Sequence, residues 1–153
     1  MTYLKRAFIY ITGLLISSLG VSLTIKADVG VGAWDALNVG LSKFAFTVGT
    51  WVIIVGTILI FVNALLAKKM PDFTGFITIF IMGPCIDFWL WLFTNFNPAN
   101  TVFRYALLIF GLTLLALGIS VYLNAKFAPN PIDNLMLALH ERLKLSMGVT
   151  KTI

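Results

Sequence analysis

The stretch GVSLTIKADVGVGAWDALNVGLSKFAFTVGTW, from Gly20 to Trp51, decides how this chain is organised. It closes one long apolar segment, passes through a glycine-rich turn that contains an Asp, and opens the next apolar segment at Gly49. A similar plan returns 98 residues later as GISVYLNAKFAPNPIDNLMLALHERLKLSMGV, from Gly118 to Val149. A repeat at a fixed spacing indicates the overall architecture more strongly than any single residue does. The sequence therefore predicts two related halves.

Eight positions carry this repeat before the register slips by one residue. They are Arg6, Gly13, Gly20, Ser22, Ala27, Asp35, Leu37 and Leu41, which recur as Arg104, Gly111, Gly118, Ser120, Ala125, Asp133, Leu135 and Leu139. We expect a first repeat over residues 1–98 and an incomplete second repeat over residues 99–153. The second copy ends six residues into the helix that would follow Met147, so we expect a longer complete version with six spans.

The composition indicates a membrane protein. Of the 153 residues, 59% are hydrophobic and only 11% are charged, whereas a soluble domain has about a quarter charged residues. The net charge of +5 is explained by Lys and Arg in cytoplasmic loops, and we expect no nucleic-acid partner because no soluble basic face exists to bind one. The partner that this composition predicts is the lipid bilayer.

Four uncharged or nearly uncharged runs are long enough to cross a bilayer, which takes about 20 apolar residues. They cover residues 8–25, 48–67, 73–93 and 105–123. In lipid, backbone groups are satisfied only in helices or closed barrels, and the strict alternation of a barrel strand is missing from these runs. The predicted fold is an all-α polytopic transmembrane helical bundle, with three spans in the first repeat and one in the second.

Two shorter segments, at about 33–45 and 131–145, have helical apolar spacing but are too short and too polar to span. In the first, Trp34, Leu37, Leu41 and Phe44 form the apolar stripe. The glycines Gly30 and Gly32, and in the second copy Pro131, break the preceding helix. Each segment is either interfacial or re-entrant.

The positive-inside rule places Lys5-Arg6 and Lys68-Lys69 in the cytoplasm, with the N-terminus. Because three spans per repeat is an odd number, the second copy would be inverted relative to the first, a construction seen in many secondary transporters. We expect a multi-pass protein of the bacterial inner membrane with its N-terminus in the cytoplasm.

Asp35 and Asp133 occupy equivalent positions in the first turns of the two amphipathic segments. One interpretation is that each carboxylate complements the positive end of its helix and caps free N–H groups. The other is that the inversion brings both helix starts to a shared site for a substrate or ion near the midplane. The two interpretations are compatible.

Asp87 lies within the third span, shortly after Gly83-Pro84, where the proline ring removes a backbone hydrogen bond. A carboxylate at that depth is costly unless it is paired, neutral or next to water, which makes it a third candidate for binding a substrate or ion. Alternatively, Asp87 reaches the headgroup region, which Trp89 and Trp91 would mark.

The sequence lacks the patterns of catalytic sites. The sequence has no glycine-rich phosphate loop, no zinc-spaced Cys and His set, and no nucleophile–base–acid trio. The single cysteine, Cys85, and the single histidine, His140, lie in different environments. We therefore expect no enzyme activity, no metal and no cofactor.

Three motifs in order resemble the YczE/YyaS/YitT family of bacterial integral membrane proteins. They are ADVGVGAWDAL at 27–37, TVGTWVIIVG at 47–56 and IMGPCIDFW at 81–89. The motif residues include Gly30, Gly32, Trp34, Asp35, Gly49, Trp51, Gly83, Pro84 and Asp87. The resemblance implies an inner-membrane protein with several spans and a related second half, and it implies no defined biochemical activity.

Two functions follow as hypotheses. The first is a small secondary transporter or permease-like protein that binds a cation, a proton or a cationic solute through Asp35, Asp133 and Asp87. The second is a membrane partner without transport activity that assists or regulates another complex, with the amphipathic segments as docking helices. Either protein could form a homo-oligomer.

Overall fold

The computed structural model describes residues 3–68, 70–71, 73–125, 130–132 and 135. In these residues the chain forms helices and no strand. The helices are α1 (Tyr3–Ala27), α2 (Ala33–Ser42), α3 (Val48–Ala67), α4 (Thr74–Leu92) and α5 (Thr101–Asn124). All except α2 are long and apolar enough to cross a membrane. The predicted all-α transmembrane fold is confirmed, and each predicted span lies within a few residues of an observed helix.

Polar side chains mark where two of these helices begin. The Thr47 hydroxyl accepts a hydrogen bond from the Thr50 backbone N–H at the start of α3, and the Asn100 side chain accepts one from Val102 N–H at the start of α5. Both are N-caps, which satisfy N–H groups that a helix leaves free. At the end of α1 the chain turns at Asp28, whose φ of 52° is in the left-handed region.

Helices α1 and α5 pack closely because four glycines let their backbones approach. Gly13 lies against Gly118, and Gly20 lies against Gly111, so the two helices run antiparallel. A Cβ added at any of the four would come within 3.0 Å of the backbone of the facing helix. Small residues are the usual means of close helix packing in membranes, and these four glycines serve that purpose between α1 and α5.

The contacts of α4 set the directions of the remaining spans. Hydroxyl–hydroxyl contact between Tyr10 and Thr78, at 2.6 Å, and the bond from Ser22 Oγ to the Ile86 carbonyl, at 3.4 Å, show that α1 and α4 run in the same direction. Gly49 lies against Gly83 and Gly56 against Ile79, so α3 runs opposite to α4. The end of α1 and the start of α3 therefore lie at the same end of the bundle. The segment that contains α2 therefore begins and ends on the same side of the bundle, as predicted for a segment that does not cross.

Helix α2 turns its polar residues inward and several apolar residues outward. Asn38 is only 4% exposed, whereas Leu37 is 44% and Phe44 is 89% exposed. Of the predicted apolar stripe, Leu37 and Phe44 are therefore turned outward, whereas Trp34 and Leu41 are partly buried. In a bilayer the surroundings are as apolar as the core, so an inward polar face is the arrangement that keeps polar groups out of lipid.

Candidate functional site

A cavity of about 250 Å³ lies between α2 and the four spans. Its lining residues include Ser17 of α1, Gly56 of α3, Met82 of α4 and Leu115 of α5, each from the middle part of its helix. The start of α2 reaches the same cavity. Irregular backbone at that depth is tolerated where it lines a cavity, and this position favours the re-entrant over the interfacial interpretation of α2.

The lining is mostly apolar. It consists of Ser17, Val21, Gly32, Ala33, Trp34, Asp35, Asn38, Val52, Val55, Gly56, Leu59, Ile79, Met82, Ile86, Leu115, Ile119, Tyr122, Asn130 and Ile132. Among these described residues Asp35 is the one charged side chain. A concave, apolar pocket with a few polar groups is the usual form of a small-molecule site.

Helix α2 presents Asp35 and Asn38 to this cavity. The helix begins after Gly32, and the spacing of three residues places the two side chains on one face. No hydrogen bond or ion pair engages the Asp35 carboxylate within the described part of the chain. Burial raises the pKa of the Asp35 carboxyl from 3.8 to about 6, because a low-dielectric environment disfavours the ionised form.

Asn38 adds an unused acceptor beside this carboxylate. Its Oδ1 atom is buried and has no hydrogen-bond partner in the described structure. Buried polar atoms are normally paired, so an unpaired one in a cavity wall requires an explanation. A ligand or water that donates a hydrogen bond would supply one.

A second chain segment reaches the cavity from the opposite end of the bundle. It follows α5, and Asn130 and Ile132 line the cavity on either side of the buried Pro131. Asn63 Nδ2, near the end of α3, donates a 2.7 Å hydrogen bond to the Pro131 carbonyl. Pro131 and Ile132 have helical conformation. Asp133 and most of the predicted 131–145 helix lie outside the described residues.

Asp87 occupies a different position from Asp35. Its Oδ2 accepts a 2.6 Å bond from the Thr47 hydroxyl, and its Oδ1 accepts a 2.8 Å bond from the Gly49 N–H. These donors belong to the first turn of α3, so Asp87 caps a neighbouring helix. It does not line the cavity. The structure thus separates Asp87 from Asp35, which the sequence grouped as candidates.

The other motif residues divide in the same way. Trp34 lines the cavity, whereas Trp51 Nε1 donates a 2.6 Å bond to the Ala45 carbonyl and holds the loop before α3. Helix α4 continues through Pro84, which is exposed, while Gly83 is buried against Gly49. Gly30 has open space around it. Its contribution is to the link between α1 and α2.

Sequence reasoning did not include Asn38 among the candidate site residues. Asn38 lies off the apolar stripe of the amphipathic segment, on the side where a soluble helix would meet water. The available signal was the i, i+3 spacing from Asp35, which puts both on one face of a helix. Only the packing of α2 on the spans shows that this face points inward.

Comparison with known proteins assigns the chain to a family. A family described as "Family of unknown function (DUF6198)" matches residues 4–153. "Uncharacterized protein YyaS" from Bacillus subtilis (strain 168) is 41% identical over 146 residues, which cover 94% of this chain and 73% of YyaS. "Uncharacterized membrane protein YczE" from the same organism is 32% identical over 137 residues, 87% of this chain and 62% of YczE.

No solved structure matches the chain. The resemblance found in the three motifs is confirmed, since both relatives belong to the group that those motifs indicated. Four apolar helices and a relative named as a membrane protein agree on a membrane location. The chain is a multi-span membrane protein, and it belongs to the DUF6198 family.

Proposed function

We propose that this protein is a small secondary transporter whose substrate or coupling ion is a cation, a proton or a cationic solute bound at Asp35. One observation carries the proposal: the Asp35 carboxylate, which has no hydrogen-bond or ion-pair partner among the described residues, faces a cavity at mid-length of the spans, beside an Asn38 Oδ1 that is likewise unpaired there. An ionisable residue inside a membrane protein that faces a cavity is typical of a solute or ion pathway. The raised pKa of Asp35 would allow protons to compete with the cation.

The packing of α1 on α5 supports an inverted repeat as the architecture of this transporter. Gly13 meets Tyr122, and Gly111, its counterpart 98 residues later, meets Thr24, the counterpart of Tyr122. The same exchange relates a second pair of contacts. Gly20 contacts Leu115, and Gly118 contacts Ser17. Gly118 is the counterpart of Gly20, and Leu115 is the counterpart of Ser17, each 98 residues later in the chain.

Exchanged contacts of this kind are what a pseudo-two-fold axis between antiparallel helices would produce. The approach of α2 and of residues 130–132 from opposite ends of the bundle fits the same axis. The division at residue 98, the inner-membrane location, the cytoplasmic N-terminus, the absence of enzyme activity and the contribution of Asp133 belong to this proposal as well.

Transport is tested on the full-length chain reconstituted in liposomes on a solid-supported membrane. Jumps in sodium, potassium or methylammonium chloride at pH about 7.5, well above the raised pKa of Asp35, would drive charge movement. We expect a current with at least one cation in the wild type and none in Asp35→Asn. Asp28→Asn is the matched control, because Asp28 lies outside the cavity in an ion pair with Arg104.

Equal currents in the wild type and Asp35→Asn would overturn the role of Asp35. Silence with all three cations from folded protein would favour the second candidate, a membrane partner of another complex. The exposed side chains of Leu37 in α2 and of Phe44 just after this helix are the observation in favour of that candidate, since exposed apolar side chains can pack on a neighbouring helix as well as on lipid.

A further inference from the structure

The chemistry of the cavity walls narrows the class of cation. Four spans contribute aliphatic side chains, such as Val52, Leu59 and Ile86, and α2 contributes the indole of Trp34. A hydrated inorganic ion would gain nothing from such walls. An apolar group of the ligand, by contrast, would be removed from water here, which is worth about 25 cal/mol per Å² of apolar surface.

The polar groups in the described lining are few, and two oxygen acceptors among them have no hydrogen-bond partner: the Asp35 carboxylate and Asn38 Oδ1. Ser17 Oγ donates to the Leu14 carbonyl at 3.1 Å, and Asn130 Oδ1 accepts from Ile132 N–H at 3.3 Å. Calcium takes about six to eight oxygen ligands and magnesium about six. The free oxygens that the described lining offers match two N–H donors better than they match a metal coordination shell.

A primary ammonium group has the complementary pattern. It carries a positive charge and three N–H donors and no acceptor. One N–H would reach the Asp35 carboxylate in a charge-assisted bond, and another would satisfy Asn38 Oδ1. Trp34 also contributes to the lining, and an indole is an aromatic group of the kind that favours organic cations. The volume of about 250 Å³ is below the roughly 300–1,000 Å³ of drug-sized sites, which limits the ligand to a small one.

We infer that the cavity binds a small organic ammonium ion, with its NH₃⁺ group between Asp35 and Asn38 and its apolar part among the side chains of the spans. This inference rests on the proposed function, because it names the substrate class of the same site. It predicts that charge and apolar body are both needed for binding. Neither a neutral analogue nor an inorganic cation combines the two.

Isothermal titration calorimetry on the full-length chain in detergent tests this inference without requiring transport. The probes are benzylammonium, its neutral isostere benzyl alcohol, and sodium chloride at equal ionic strength. Loss of a hydrogen bond to a charged group costs about 1.5–3 kcal/mol, or about tenfold or more in affinity. We expect benzylammonium to bind at least about tenfold more tightly than benzyl alcohol, and Asp35→Asn to abolish that preference.

Two further measurements separate binding from folding. Asn38→Leu, which removes the unpaired acceptor, should weaken benzylammonium by about threefold to tenfold while benzyl alcohol is unaffected. The benzylammonium affinity should also fall as the pH drops below about 6, as Asp35 becomes protonated. Of the described residues that line the cavity, Tyr122 is the other titratable one.

Equal binding of benzylammonium and benzyl alcohol would overturn the inference, and so would benzylammonium binding that persists unchanged in Asp35→Asn. Sodium binding that depends on Asp35, without benzylammonium binding, would refute the ammonium class and leave the proposed transporter standing. If nothing binds and the transport assay is silent as well, both proposals fail.

Discussion

Asp35 and Asp87 are both carboxylates placed among the spans of one small bundle, and the protein treats them in opposite ways. Asp87 accepts bonds from the Thr47 hydroxyl and the Gly49 N–H and so completes the first turn of α3. Asp35 faces a cavity, without a hydrogen-bond or ion-pair partner among the described residues. The first carboxylate therefore stabilises the fold, whereas the second makes no such contact in the described structure.

The comparison teaches that partners, rather than depth, distinguish the two roles. A buried charge is costly when unpaired, and donors already present in the fold offset that cost for Asp87. For Asp35 the cost is not offset by the described structure, and its pKa rises accordingly. A site that binds a ligand keeps such a group ready, at the expense of stability.

The largest expected effect is on stability at Asp87. Replacing Asp87 by Ala leaves the Gly49 N–H and the Thr47 hydroxyl without their acceptor and should cost about 2–3 kcal/mol. For a protein of this size that is a fall in Tm of roughly 4–12 °C. The matched variant Asp35→Ala removes no hydrogen bond of the described structure, so its Tm at pH about 7.5 should equal or exceed that of the wild type. Thermal unfolding in detergent micelles measures both.

The ranking of these two variants is the critical result. Equal losses of Tm would mean that Asp35 has a structural partner. In that case the contrast between the two carboxylates would disappear.

A second effect is expected in the pH dependence of stability. The Asp35 pKa is 3.8 in the unfolded reference and about 6 in the folded protein, so folding is coupled to proton uptake between these values. The contribution of Asp35 is fully present below pH about 4 and is lost as the pH rises through about 6, with a total of about 3 kcal/mol. The difference in Tm between Asp35→Asn and the wild type should therefore grow from pH about 4.5 to 7.5. A constant difference over this range would contradict the burial of Asp35.

The smallest effect is expected at Asp28, an acidic side chain outside the cavity. Its Oδ2 lies 3.3 Å from Arg104 Nη1, with the Asp28 side chain 82% exposed. Exposed ion pairs contribute about 0–1 kcal/mol, and Asn tolerates the left-handed backbone at this position. Asp28→Asn should therefore change Tm by less than about 4 °C in the same measurement. A larger loss would show that the turn after α1 depends on its charge.

The sequence predicted the helices of this protein well because the bilayer imposes a simple rule. Runs of apolar residues such as 48–67 have to be helical in lipid, so composition and length alone locate the spans. The non-crossing α2 was predicted for the same reason, since Asp35, Asn38 and Ser42 make the segment too polar to span. The division of the chain into two repeats stays a prediction.

Tertiary structure alone decided which carboxylate is partnered and which faces a cavity. Asp87 accepts a hydrogen bond from Thr47, which is 40 residues away in the sequence. Such a contact cannot be predicted from local sequence patterns. Likewise, the sequence shows that α2 has a polar and an apolar face, but not which one points inward, because both protein and lipid are apolar surroundings. What the sequence determined by itself was how many helices could cross the membrane; what packing decided was where the unsatisfied charge would lie.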